Sequence, residues 1–149
     1  MPTAEDGALT RLYTSQHSGS VEDDAPNQPG AGGPGENSYD LHLEAVAGDV
    51  LGGGGNPYTL TITAFDVTAG TAAPALNPTA AQLNNPQSFS GPTWAKVGDE
   101  YVTEQTFTIP AAGNLPAGLS GHTFIYTASL VSTNSEQVWF IESSPFVLC

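Results

Sequence analysis

The sequence predicts an all-β fold, an antiparallel Greek-key β-sandwich of seven to eight strands, and three observations carry that expectation. Apolar and polar residues alternate with period two through most of the apolar stretches, the pattern of half-buried strands. Gly, Pro, Asn and Ser punctuate those stretches at short intervals, as turns require. One segment alone, near 78–83, carries helix start and stop signals, and it is long enough for a turn or two only. A chain of 149 residues is one domain by size and can bury a core without disulfide or metal staples. Many short strands then close that core best as two packed sheets.

In chain order, residues 9–14 (LTRLYT) read as a short strand inside an N-terminal arm spanning 1–38. The rest of the arm holds Pro26, Pro29, Pro34, the run GAGGPGEN and the acidic triplet Glu22-Asp23-Asp24, which oppose regular structure. The sandwich domain spans 39–149. Tyr39, Leu41, Leu43 and Ala45 alternate with Asp40, His42 and Glu44, so the acids project from the outer face of a strand. The glycines at 52–55 form a flexible turn. In 58–67, Leu60, Ile62 and Ala64 alternate with Thr59, Thr61 and Thr63, and β-branched threonine suits an exposed strand face. These two segments read as an antiparallel pair.

Residues 69–97 are nearly uncharged. Asn77 as cap and Pro78 at the first helical position start the short helical turn, which Asn84, Asn85 and Pro86 end. Short strands follow at 87–90 and 93–97, and alternation returns at 101–109, 122–132 and 138–142. Pro145 interrupts the last stretch, which implies an edge position or a bulge.

The segment 115–146 resembles the last third of an immunoglobulin-like or fibronectin type III-like sandwich. Leu119, Gly121, Phe124 and Tyr126 fit the approach to the second-last strand, and ESSPFVL at 142–148 looks like a closing strand. The chain lacks the Cys pair of the antibody type, and Phe124 stands where the resemblance puts a corner tyrosine. The resemblance implies a fold class and no activity.

Charge narrows function further. Fifteen acids face two cations, Arg11 and Lys96, giving a net charge of −13. Such a chain cannot coat a phosphate backbone and is repelled by anionic membranes. No apolar run approaches the ~18 residues of a membrane span, and no basic-then-apolar leader opens the sequence. The expectation is a cytoplasmic product or a chain whose leader has been removed. Cys149 is the one cysteine, so no intrachain disulfide can form.

Catalytic sets are absent from the pattern. His17, His42 and His122 sit in no nucleophile motif, and Ser120 and His122 in GLSGH suit a turn better than a catalytic pair. Asp66, Asp99, Glu100 and Glu104 are scattered in strands and turns and do not read as a glycosidase pair. A hard cation such as Ca²⁺ could draw oxygens from Glu22, Asp23, Asp24, Glu36 and Asp40, but without EF-hand spacing the plainer reading is a solvated acidic loop. Zinc has only His17 and His42 to draw on. Trp94, Tyr101, Trp139 and Tyr58 are the candidates for stacking on a sugar or anchoring a partner, with core burial the plainer fate of Trp139.

The expected function is therefore a non-enzymatic structural or interaction module acting through protein–protein contact, self-assembly included. The alternatives are a carbohydrate-binding module using the exposed aromatics, and an acidic protein docking on a basic partner.

Overall fold

The computed structural model describes residues 6–28, 36–133 and 136–149. The glycine run at 30–35, read above as loop, lies outside the described residues. Among these, the chain forms ten strands: β1 (Gly7–Gln16), β2 (Tyr39–Gly48), β3 (Pro57–Asp66), β4 (Thr71–Ala72), β5 (Gln87–Ser88), β6 (Trp94–Val97), β7 (Glu100–Ile109), β8 (Thr123–Ser132), β9 (Val138–Glu142) and β10 (Phe146–Val147). Seven have four residues or more; β4, β5 and β10 have two each.

All pairings are antiparallel and fall into two sheets. Sheet A has the order β1-β2-β7-β6. Sheet B has the order β10-β8-β3-β4, with β9 also on β8 and β5 also on β3. Inward residues of both sheets meet in one core: Leu41, Leu43, Phe107 and Ile109 from sheet A, and Leu60, Ile62, Tyr126 and Leu130 from sheet B. The architecture is thus all-β and sandwich-like, with few helical residues.

β2 and β3 do not pair with each other as their patterns suggested. Each lies at the centre of a different sheet, β2 between β1 and β7 and β3 beside β8. The connection between them is the reason. Residues 49–53 coil into a short helix, α1 (Asp49–Gly53), which carries the chain from one sheet to the other. Gly52 is required there, because a Cβ on it would collide with the Tyr101 ring.

The second short helix, α2 (Ala80–Leu83), is capped by Thr79 rather than by Asn77. The Thr79 hydroxyl accepts from the Gln82 amide while the Gln82 side chain accepts from the Thr79 amide, a capping box. The side chain of Asn77 instead accepts from the Ala64 amide of β3 at 2.7 Å. Nearby, the Asn85 side chain accepts from the Leu60 amide (2.9 Å) and donates to its carbonyl (2.7 Å). β4 and β5 cover only the two ends of β3. The two asparagines therefore stand in for a missing strand along the middle of that edge, which blunts it against pairing.

β1 is longer than the strand expected at 9–14 and pairs with β2 along its length. Its register shifts between Leu9 and Arg11. The extra residue turns both Leu9 and Leu12 into the core despite their three-residue spacing.

Candidate functional site

The polar residues singled out in the sequence lie mainly on and around the outer face of sheet A. Register places Ser15, Asp40 and Thr108 in one row and Tyr13, His42 and Thr106 in the next. The third row holds Arg11, Glu44 and Glu104. Asp40 and His42 were expected to project into solvent, but each is only 4% exposed. The segment after β1 folds back over them. Asp40 accepts from the Ser18 amide (2.8 Å) and the Thr108 hydroxyl (3.2 Å), and pairs with the His17 ring at 3.0 Å.

His42 packs flat on Tyr13, with ring centroids 4.6 Å apart. Its Nε2 lies 2.7 Å from Ser15 Oγ and its Nδ1 3.1 Å from Thr106 Oγ1. A serine and a histidine at this distance invite comparison with a nucleophile and its base. Yet Ser15 has no exposed surface, and its oxygen also lies near the carbonyls of Gln16 (2.9 Å) and Gly19 (3.1 Å). With one hydroxyl proton and two carbonyls to receive it, Ser15 is best satisfied by accepting from His42 and donating to a carbonyl. No substrate can reach it. No local pattern marks this cluster, because Ser15 and His42 are 27 residues apart and come together only through the β1–β2 pairing.

A second acid–histidine pair sits at the end of sheet B, where His122 Nδ1 lies 2.7 Å from Asp66 Oδ2. Burial alone would raise the Asp66 pKa; hydrogen bonds from His122 and from the Ala69 and Thr68 backbone, with the imidazole's charge, outweigh it and hold the carboxyl below its ordinary value. His122 and Ser120 belong to a turn, as their sequence suggested, with Gly121 at φ +81.

The acidic candidates for a cation are not gathered into one centre. Glu22, Asp23 and Asp24 line a groove of about 490 Å³ with Tyr13 and Pro145. Glu36 lines another, beside Asn27 and Cys149, and Asp40 is engaged by His17. Among the described residues no three His, Cys, Asp or Glu side chains are arranged to hold a metal ion. The acidic segment is stitched across the side of the sandwich: the Asp23 amide donates to the Thr14 carbonyl of β1, and the Val147 amide of β10 donates to the Asp24 carbonyl. Asn27 then holds Cys149 through both its side-chain oxygen and nitrogen.

The aromatic candidates are largely interior. Trp94 is 8% and Trp139 6% exposed, and they approach from opposite sheets to meet Phe89 at 5.5 and 5.6 Å. Trp94 donates to the Tyr58 hydroxyl at 2.9 Å. Tyr101 alone keeps part of its ring accessible, against Gly52 and under Lys96.

The burial of Trp139 turns its neighbours outward. Phe140 is 68% exposed, and Val138 and Val131 stand beside it on the outer face of sheet B. At the other end of that face Phe65 lies opposite Ile125 and Ala72. Between the two patches run Thr59, Thr61, Thr63, Thr127 and Ser129. Of the nine large apolar side chains exposed among the described residues, five (Phe65, Val131, Val138, Phe140 and Val147) point outward from the strands of sheet B. Glu142 is the one charged side chain among its described outward strand positions.

Fold and site together define an all-β protein of two antiparallel sheets, one outer face rich in acidic and polar side chains, the other carrying exposed Phe and Val around threonine and serine, with one acid, Glu142. The chain matches no protein-family model, and comparison with curated proteins finds no match.

Proposed function

We propose that this chain is a non-enzymatic, immunoglobulin-like module that works by protein–protein contact, and that the outer face of sheet B is the surface it presents. The strand order supports the first half. With β1, β2, β3, β6, β7, β8 and β9 taken in chain order as A to G, sheet A reads A-B-E-D and the centre of sheet B reads C-F-G, the arrangement of constant-type immunoglobulin sandwiches. The Tyr126 hydroxyl, two residues beyond Phe124, bonds the Leu76 carbonyl across the core and not a nearby loop, which sets the chain apart from members with a tyrosine corner.

The observation that carries the second half is the concentration of exposed Phe and Val on one face whose outward strand positions hold a single charge, Glu142. Exposed apolar patches rimmed by polar residues mark contact sites on soluble proteins. The buried tryptophans count against sugar stacking through Trp94 or Trp139, and the accessible rings, Phe140, Phe65 and Tyr101, do not converge in a cleft with a set of polar groups that would orient a sugar. Placing a photo-crosslinking phenylalanine analogue at position 140, with position 104 on sheet A as control, tests the reading in the cells that make the protein. A protein adduct from 140 and none from 104 is expected; adducts from neither, or equally from both, overturn it.

A second reading has its own observation. Glu44 and Glu104 are direct cross-strand partners, and the nearest cation is Arg11, 3.5 Å from Glu44. Docking of a basic partner on sheet A would lower that repulsion and would weaken steeply with salt.

A further inference from the structure

The two outer faces differ in charge, and the difference bears on what can cover the less charged one. Sheet A exposes Glu44 and Glu104 against a single Arg11, and the acidic segment 22–24 crosses the side of the sandwich between β1 and β10, off both outer faces. Sheet B presents threonine and serine between two apolar patches, with Glu142 as its one outward charge among the described strand residues.

We propose that the occupant of the outer face of sheet B is a second copy of this chain, bound face to face about a two-fold axis. This rests on the contact reading above and names its partner. A chain of net charge −13 resists any contact that brings its acids together. Pairing through sheet B brings in the fewest, Glu142 alone from the strand positions of each chain. Sheets stack about 10 Å apart, so the two sheet A faces would point away from each other across about 30 Å, well beyond the screening length of about 8 Å at physiological salt. Pairing through sheet A would oppose Glu44 and Glu104 to their own copies with one arginine per chain to relieve them.

Area permits the pairing. β3 and β8 are ten residues long and β9, β10, β4 and β5 fill part of the columns beside them, so the face covers at most roughly 600 Å² and two copies bury at most about 1,200 Å², the lower bound for a stable specific interface. The apolar patches give it anchors at both ends. Val131, Val138 and Phe140 form one, and Phe65, Ile125 and Ala72 the other. They are six residues apart along β8, from Ile125 to Val131, or about 20 Å. An isologous contact uses each patch twice, so one charge placed in either is counted twice in the dimer.

Sedimentation equilibrium on the intact chain from micromolar to high-micromolar concentration tests this, with Phe140→Lys, Phe65→Lys and Glu104→Gln measured alongside. The expected result is a wild-type dimer that either lysine variant returns to the monomer mass, with the far-UV circular dichroism and melting temperature of the monomer unchanged. Glu104→Gln should stay dimeric. A wild type that is monomeric throughout overturns self-pairing; the crosslink from position 140 then still decides whether the face meets another protein. A dimer insensitive to both lysine variants overturns self-pairing through this face and, if 140 also gives no adduct, the contact reading with it.

Discussion

The phenol oxygens of Tyr39 and Tyr126 lie 2.5 Å apart between the two sheets, at the centre of the core. Tyr126 donates onward to the Leu76 carbonyl at 2.7 Å, so Tyr39 must be the donor to Tyr126. The relay joins β2 of sheet A, β8 of sheet B and the turn before α2. Its two links are unequal. Tyr126→Phe strands both the Tyr39 hydroxyl and the Leu76 carbonyl in the core and should cost about 2–4 kcal/mol, whereas Tyr39→Phe removes one donor and should cost about 1 kcal/mol. Urea unfolding of the two variants measures the difference, and equal costs would refute the direction assigned to the bonds.

Burial raises the pKa of both phenols well above the ordinary value of 10.0, the mutual hydrogen bond lowering that of Tyr39 in part and raising that of Tyr126 further. A raised folded pKa stabilises fully below the unfolded value and is lost as pH climbs through the folded one. Stability should therefore fall above about pH 10, and Tyr39 and Tyr126 should be among the tyrosines that ionise only as the chain unfolds, with Tyr58, also raised by burial, beside them. Absorbance at 295 nm against pH, followed together with circular dichroism, shows whether they do.

Asp66 has the opposite sign. Its folded pKa is held below 3.8 despite burial, because His122 and the Ala69 and Thr68 backbone bond its charged form. The stability it adds is present above about pH 4 and is lost as pH falls through the folded value. Asp66→Asn should be destabilised at neutral pH and should show a flatter urea midpoint between pH 5 and pH 2 than the wild type.

Gly7 lies against the Trp139 ring so closely that an added Cβ would overlap it. Gly7→Ala should cost about 1–3 kcal/mol through overpacking. Combining it with Trp139→Phe should return part of that cost, since the smaller ring vacates the overlap. Strictly additive losses in a double-mutant cycle would show that the two residues do not press on each other.

Glu44 and Glu104 face each other across β2 and β7. Glu104→Gln should stabilise the fold by about 0.5 kcal/mol at low salt, because like charges directly opposite in a sheet repel, and the gain should shrink as salt is added. No gain at low salt would mean that Arg11 already neutralises the pair.

Strand positions were legible wherever one face of a strand is buried and the other wet, as in β3 and β8, because strict alternation survives there. It failed for β1, where a bulge gives Leu9 and Leu12 a spacing that period two cannot express. Sheet membership was hidden too. β2 and β3 adjoin in sequence, yet residues 49–53, with Gly52 and Gly53, wind into α1 and the chain passes to the other sheet. Of the site, the sequence marked Trp94 and Trp139 as large aromatics, with core burial the plainer fate of Trp139 and no direction for Trp94. The interior position of Trp139 follows from β9 lying along β8, and that same placement exposes Phe140. Asp40 and His42 carry an outward pattern but are covered by the segment after β1, a tertiary fold-back that local periodicity cannot register.

Carbene footprinting tests the role of the outer face of sheet B most directly, comparing labelling in the cells that make the protein with that of dilute purified protein. Val131, Val138 and Phe140 should lose labelling in the cell while Val97, exposed on β6 of sheet A, keeps its own. Equal labelling at all four in both settings, or protection of Val97 alone, would contradict it.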